Sequence, residues 1–120
     1  MSNFHSLKKN SDFHTVYNHK RSAANRSLVM YFVENPENKE NKINRIGISV
    51  SKRVGNSVVR HRIKRVVREI FRLNDAMFRK GLDIVIVARV EASRKDYREL
   101  EAAVMQLAER LGLKEKNLSK

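Results

Sequence analysis

The pattern of apolar and polar residues predicts three strands in the chain. Residues 27–33 (SLVMYFV) are apolar, aromatic and β-branched, and residues 45–50 (RIGISV) alternate more cleanly with the period of two of a strand. Residues 83–90 (DIVIVARV) are apolar on both faces, which is typical of a central strand. The polar segment 34–44 (ENPENKENKIN) predicts a flexible connection between two antiparallel strands.

The same alternation assigns side chains of the first two strands to faces. In the first strand, Tyr31 lies on the face opposite to Met30 and Phe32, which supply the buried side. In the second strand, the face that carries Gly47 and Ser49 is small and polar. The backbone of a ligand could therefore approach the second strand closely.

Apolar residues at helical spacing predict three helices. The clearest runs from about Ser57 to Phe71 or beyond, with Asn56 or Ser57 as its N-terminal cap. Shorter and longer patterns predict helices over 12–18 and 96–111. The order α-β-β-α-β-α predicts an α+β sandwich in which helices cover a small mixed sheet.

Length and composition narrow the class of protein. A chain of 120 residues with 41% hydrophobic residues predicts a single domain over 1–120, with a core over about 7–112 and a flexible tail over 113–120. No apolar run is long enough for a membrane span, and the first residues lack a signal peptide, so we expect a cytoplasmic protein. Without cysteine, the chain has no disulfides, no thiolate zinc site and no cysteine nucleophile.

Charge points to a polyanionic partner. The formal net charge is +13, and eight basic side chains against one acid fall between Lys52 and Arg72. Nucleic acid is the leading candidate. A membrane surface is the alternative, but the chain has no tryptophan to anchor it there.

The basic segment combines a turn with a helix. Arg60, Lys64 and Arg68 form a row at four-residue spacing. The preceding turn through Gly55 leads into the helix N-terminus, where backbone N–H groups favour an anion. This pattern predicts a continuous phosphate-binding surface. The alternative is a solvated helix face, but such faces normally mix positive and negative charges.

Four segments in order resemble one known family. They are the string RIGISVSKRVGNSVVRHRIKRVVRE, the LKKNSDFHTVY of residues 7–17, the ANR of residues 24–26 and the IVIVAR of residues 84–89. Together they resemble the bacterial ribonuclease P protein subunit over nearly the whole chain. Two departures stand out: His61 replaces the asparagine of the family's Arg-Asn-Arg motif, and Val90 occupies a position that is often basic in relatives.

The resemblance implies a function and a fold detail. It implies the protein subunit of an endoribonuclease, which binds a catalytic RNA subunit and precursor tRNA and assists Mg²⁺-dependent removal of the 5′ leader. The catalytic centre would lie in the RNA, with Mg²⁺ held mainly by RNA and substrate, so no catalytic or metal-ligating side chain is expected. No membrane and no small-molecule substrate is implied. The family's left-handed β-α-β crossover is also expected, which the sequence alone does not predict.

The resemblance further implies two RNA surfaces. Residues matching the basic turn and helix are Lys52, Arg53, Asn56, Arg60, His61, Arg62, Lys64, Arg65 and Arg68. Residues matching a cleft for the single-stranded leader are Phe13, Tyr17, Arg26, Tyr31, Ser49 and Ser51. Aromatic faces suit such a strand because its unstacked bases can stack on them.

Alternatives remain open at this point. Phe13 and Tyr17 at four-residue spacing could both pack into the core. The protein could be a ribosomal-type protein that only coats folded RNA, although such a protein has little use for an aromatic groove. An autonomous nuclease is disfavoured because the acids form no cluster. The four histidines show no ligand spacing and are interpreted as surface residues.

Overall fold

A computed structural model of the chain describes residues 4–19 and 21–115. Within these residues the secondary structure includes five strands and four α-helices. In chain order they are β1 (Phe4–Ser6), α1 (Asn10–Asn18), β2 (Ser22–Ala24), β3 (Leu28–Glu34), α2 (Pro36–Glu40), β4 (Asn44–Ser49), α3 (Ser57–Leu73), β5 (Leu82–Ala88) and α4 (Tyr97–Arg110). The described residues include no helix of sufficient length and apolarity to cross a membrane.

The strands form one mixed sheet in the order β1-β4-β5-β3-β2. As predicted, β5 is central: it runs parallel to β4 and antiparallel to β3. The strands β3 and β4 do run in opposite directions, but they are not neighbours because β5 lies between them. The hand of the crossover from β4 through α3 to β5 stays a prediction of the resemblance.

The segment between β3 and β4 is not the flexible connection that its composition predicts. Asn35 caps the short helix α2 by accepting a hydrogen bond from the backbone of Glu37, and proline occupies the first helical turn. Asn38 is buried and donates to the backbone oxygen of Leu82 at 3.0 Å. The polar composition predicts flexibility, but the side-chain amides of Asn35 and Asn38 donate to Asp83 and to the backbone of Leu82, which orders the segment.

Helices cover both faces of the sheet. The face with Met30 and Phe32 packs against α3 and α4 in the main core, as the alternation predicts. The opposite face packs against α1 in a smaller cluster around Val16 and Val85. Full burial of a side chain such as Phe32 stabilises the fold by about 2 kcal/mol. The candidate site lies on the sheet face that carries this smaller cluster.

The predictions from sequence were incomplete for the short edge strands and wrong about where the folded part of the chain ends. The three-residue strands β1 and β2 were not predicted, because three residues are too few for a periodic signal. The packed body also extends beyond 112: Leu113 is fully buried, and Lys114 pairs with Phe78. The rest of the predicted tail, 116–120, lies outside the described residues.

Candidate nucleic-acid interface

A cleft of about 470 Å³ opens between α1 and the end of β4. One side of α1 lines it because Asn10, Phe13, His14 and Tyr17 recur at the spacing of one helical face. From the sheet side, Ile48, Ser49 and Val50 complete the wall. Two cations, Lys8 before α1 and Lys64 from α3, lie in the lining as well. The cleft thus combines aromatic rings with positive charge.

The aromatic residues of α1 are shared between core and cleft. Phe13 and Tyr17 are half-buried, pack against the small cluster and still line the cleft. Tyr17 meets Tyr31 edge-on, with ring centroids 4.9 Å apart. Core packing and an exposed ring are therefore not alternatives here, because each ring presents one side to the sheet and another to the cleft.

Tyr17 stays neutral over the physiological pH range. Burial raises its pKa, Tyr31 raises it further, and a hydrogen bond with the side chain of Ser49 offsets part of this effect. A neutral phenol beside Ser49 does not repel phosphates. This end of the cleft therefore offers a polar but uncharged surface to a polyanion.

Arg45, which is half-buried, joins α1 to the sheet through two ion pairs. Arg45 on β4 donates to both oxygens of Asp83 on β5 and reaches Asp12 of α1 at 3.3 Å. Asn35 and Asn38 donate to the same Asp83 carboxylate at 3.0 and 2.7 Å. Burial raises the pKa of Asp83, but the hydrogen bonds from Arg45, Asn35 and Asn38 outweigh it and lower the pKa below its ordinary value.

The basic turn and helix take the predicted form. Asn56 caps α3 by accepting a hydrogen bond from the backbone of Val59 at 3.0 Å. Lys52 and Arg53 are exposed in the turn before it. On the outer side of α3, a groove of about 640 Å³ is lined by Ser57, Val58, His61, Arg62, Arg65 and Arg68.

The row of Arg60, Lys64 and Arg68 is divided between two sides of α3. Lys64 faces the cleft, whereas Arg68 lines the outer groove with His61 and Arg65. Residues four apart drift by about 40° around a helix, so a row of three spreads over both sides. Arg60 is half-buried on the side of Lys64.

Arg62 differs from its basic neighbours because it has contacts within the protein. Its guanidinium donates to the backbone oxygens of Ser93 and Lys95, each at 3.2 Å. Arg62 thereby holds the segment between β5 and α4 against α3. Arg72, at the end of the helix, pairs with Glu69.

Three residues predicted for the cleft are not on its wall. Arg26 lines a separate groove against α4, because the neighbouring Asn25 anchors the turn before β3 to the backbone of Ala103. Ser51 is exposed just beyond Val50, at the start of the basic turn. Tyr31 lies on the sheet against Tyr17 and supports that ring.

Several lining residues were missed from sequence. Lys8, Asn10 and His14 belong to the cleft, and their helical spacing relative to Phe13 could have indicated them. Arg45 and Asp83 could not be paired from sequence, because they are brought together only by the adjacency of β4 and β5.

The fold and the two adjoining surfaces define a single-domain α+β protein of the RNA-binding class. The family model for ribonuclease P matches residues 1–112. The chain belongs to the ribonuclease P protein family. It is therefore the protein subunit of an endoribonuclease that processes tRNA at its 5′ end together with an RNA subunit. This membership decides against the coating protein.

Individual relatives support membership of this family. The chain is 55% identical over 103 residues to a ribonuclease P protein component of Lachnoclostridium phytofermentans, covering 86% of this chain and 85% of that one. It is 45% identical over 113 residues to one of Alkaliphilus metalliredigens, covering 94% and 98%.

Solved structures confirm the predicted α+β fold. The Staphylococcus aureus RNase P protein at 2.0 Å superposes with a TM-score of 0.82 at 33% identity, covering 91% of this chain and 96% of that one. The Thermotoga maritima RNase P protein gives a TM-score of 0.77 at 31% identity, covering 88% and 96%.

Proposed function

We propose that the basic turn and helix hold the catalytic RNA, and that the cleft between α1 and β4 holds the single-stranded 5′ leader of precursor tRNA. The RNA performs the cleavage in the cytoplasm, and the protein raises affinity for the substrate. No side chain of the chain is assigned to a catalytic step.

The observation that carries this proposal is the composition of the cleft wall. Half-exposed faces of Phe13 and Tyr17 offer stacking surfaces for unpaired bases, and Lys8 and Lys64 are placed for the phosphates between them. Each stacked base contributes roughly 1 to 3 kcal/mol. A mature tRNA has no leader to place there, so the cleft favours precursor over product.

The position of Lys64 links the two surfaces. It belongs to α3, whose outer side carries the groove with Arg65 and Arg68, and its own side chain lines the cleft. A leader lying in the cleft would thus run beside RNA bound to the same helix. This arrangement supports a role for the protein in aligning substrate with the catalytic RNA.

We further propose that Mg²⁺ is held mainly by the RNA and the substrate. No group of three or more acidic or histidine side chains that could hold a metal ion occurs within residues 4–19 and 21–115. The carboxylates of Asp12 and Asp83 both accept hydrogen bonds from Arg45.

Reconstitution tests the proposal. The purified protein, the catalytic RNA and their mixture are each incubated with precursor tRNA and Mg²⁺ at near-physiological salt. We expect no cleavage by the protein alone and faster cleavage by the mixture than by the RNA alone. No gain in rate or affinity from the protein would overturn the proposal.

A further inference from the structure

Gly47 occupies an unusual position at the centre of β4. It is buried on the face that packs against α1, and the ring of Phe13 lies directly over it. A Cβ atom built at residue 47 would lie 2.4 Å from Cζ of Phe13 and 2.9 Å from its Cε2. Nonbonded carbon atoms prefer a separation of about 3.5 to 4.0 Å, so no other residue fits beneath the ring as it stands.

The neighbours of Gly47 on the same face of β4 also contact helix α1. Alternation along β4 places residues 45, 47 and 49 towards α1. Arg45 binds Asp12 of the helix at 3.3 Å. Ser49 lines the cleft beside Tyr17, and its side chain lowers the pKa of the Tyr17 phenol.

Between these two contacts, the missing side chain of Gly47 admits Phe13. Helix α1 therefore meets β4 at three successive positions of the strand. At the middle position, the Phe13 ring occupies the space that a side chain of residue 47 would take.

We propose that Gly47 is a positioning residue for leader binding, because its lack of a side chain sets how deeply the Phe13 ring lies in the cleft. The inference rests on the proposed function of the cleft. A methyl group at residue 47 would push the far end of the ring outwards into the space for the leader. Rotation of a side chain moves this ring end at little cost, so the strand and its pairing are retained.

The test combines two substitutions in the full chain reconstituted with the catalytic RNA. Dissociation constants are measured for precursor tRNA with a single-stranded leader and for mature tRNA, and their ratio reports leader binding. We expect Gly47→Ala to lower the preference for precursor by about fivefold, which corresponds to partial loss of one stacking contact. Affinity for mature tRNA should stay within about twofold.

The double variant separates positioning from general damage. In a Phe13→Ala background, where no ring remains to be displaced, Gly47→Ala should change the preference by less than about twofold. Gly112→Ala is the matched control: its φ of 72° disfavours alanine, but nothing lies within 4 Å of the added atom. That control should lower the Tm and leave the preference unchanged.

Each outcome is decisive. If Phe13→Ala itself leaves the preference unchanged, the proposed function fails and the inference falls with it. If Phe13→Ala lowers the preference but Gly47→Ala does not, only the inference is overturned. An equal loss from Gly47→Ala in both backgrounds would also overturn it, since the effect would not pass through Phe13.

A folding defect would be equally informative. Should Gly47→Ala lower the Tm strongly, Phe13→Leu is added, because the shorter side chain relieves the clash. We expect the pair to recover the Tm of Phe13→Leu alone. No recovery would mean that the added methyl group meets something other than Phe13, and the inference would be wrong.

Discussion

Arg45 and Asp83 face each other across the parallel strands β4 and β5 and form a two-point ion pair, with donor–acceptor distances of 2.8 and 2.7 Å. The same guanidinium reaches Asp12, so one side chain connects the middle of the sheet to the helix that lines the cleft. The geometry of the candidate site therefore depends on a charge pair between a half-buried guanidinium and a buried carboxylate.

This pair predicts acid sensitivity. Because the pKa of Asp83 is lower in the folded than in the unfolded protein, the unfolded state takes up the proton first as pH falls. The stabilisation is complete above the ordinary carboxyl pKa of about 4 and is lost as pH falls through the folded value. Urea denaturation at a series of pH values measures it.

The matched variant is Asp83→Asn. It should lower the free energy of unfolding at neutral pH by about 1 to 3 kcal/mol, because Arg45 loses the charge-assisted hydrogen bonds to Asp83 but keeps its ion pair with Asp12. It should also flatten the acid dependence. A variant with the same acid dependence as the original chain would show that other carboxylates cause it.

Arg62 should stabilise the protein through its own contacts. Removing the two hydrogen bonds to Ser93 and Lys95 by Arg62→Ala is expected to cost about 1 to 2 kcal/mol of unfolding free energy. The control Arg65→Ala, an exposed residue three positions along the helix, should stay within about 0.5 kcal/mol. Urea denaturation of both variants compares them. Equal stabilities would assign Arg62 to the RNA surface alone.

Arg65 should act through phosphate contact. Arg65→Ala is expected to lower the slope of log affinity against log salt concentration by roughly 0.7 to 0.9, the value for one phosphate. Binding of the catalytic RNA is measured across a salt series. Arg98→Ala, on α4 and outside both surfaces, serves as the control. An unchanged slope for Arg65→Ala would make this residue a solvated charge.

The ring of Tyr17 should contribute more than its hydroxyl. Tyr17→Phe keeps the stacking face and should retain affinity for leader-containing precursor within about twofold. Tyr17→Ala removes that face and should lose roughly fivefold or more. Equilibrium binding with the reconstituted complex distinguishes them. Equal losses would assign the effect to the phenolic hydroxyl group.

The sequence predicted the elements that carry a strong local period. The helix α3 and the faces of β3 follow from repeats of 3.6 and 2 residues, and the central strand β5 follows from a continuous apolar run. The short strands β1 and β2 and the helix α2 have three to five residues each, and tertiary contacts rather than local pattern determine them.

The motif resemblance assigned Phe13 and Tyr17 to the cleft that they line. Contacts between residues far apart in the sequence could not be predicted. The contact of Arg45 with Asp83 spans 38 positions, and that of Arg62 with Lys95 spans 33. Such contacts depend on strand order and on how helices pack. The same reason explains why Arg26 was assigned to the cleft, although the fold places it against α4.

The most direct test of the account is the leader dependence of substrate affinity in the Phe13→Ala variant. Dissociation constants of the reconstituted complex are compared for precursor tRNA with a leader and for mature tRNA. We expect a loss of roughly fivefold or more for the precursor alone. An equal loss on both substrates, or none on either, would contradict the assignment of the cleft to the leader.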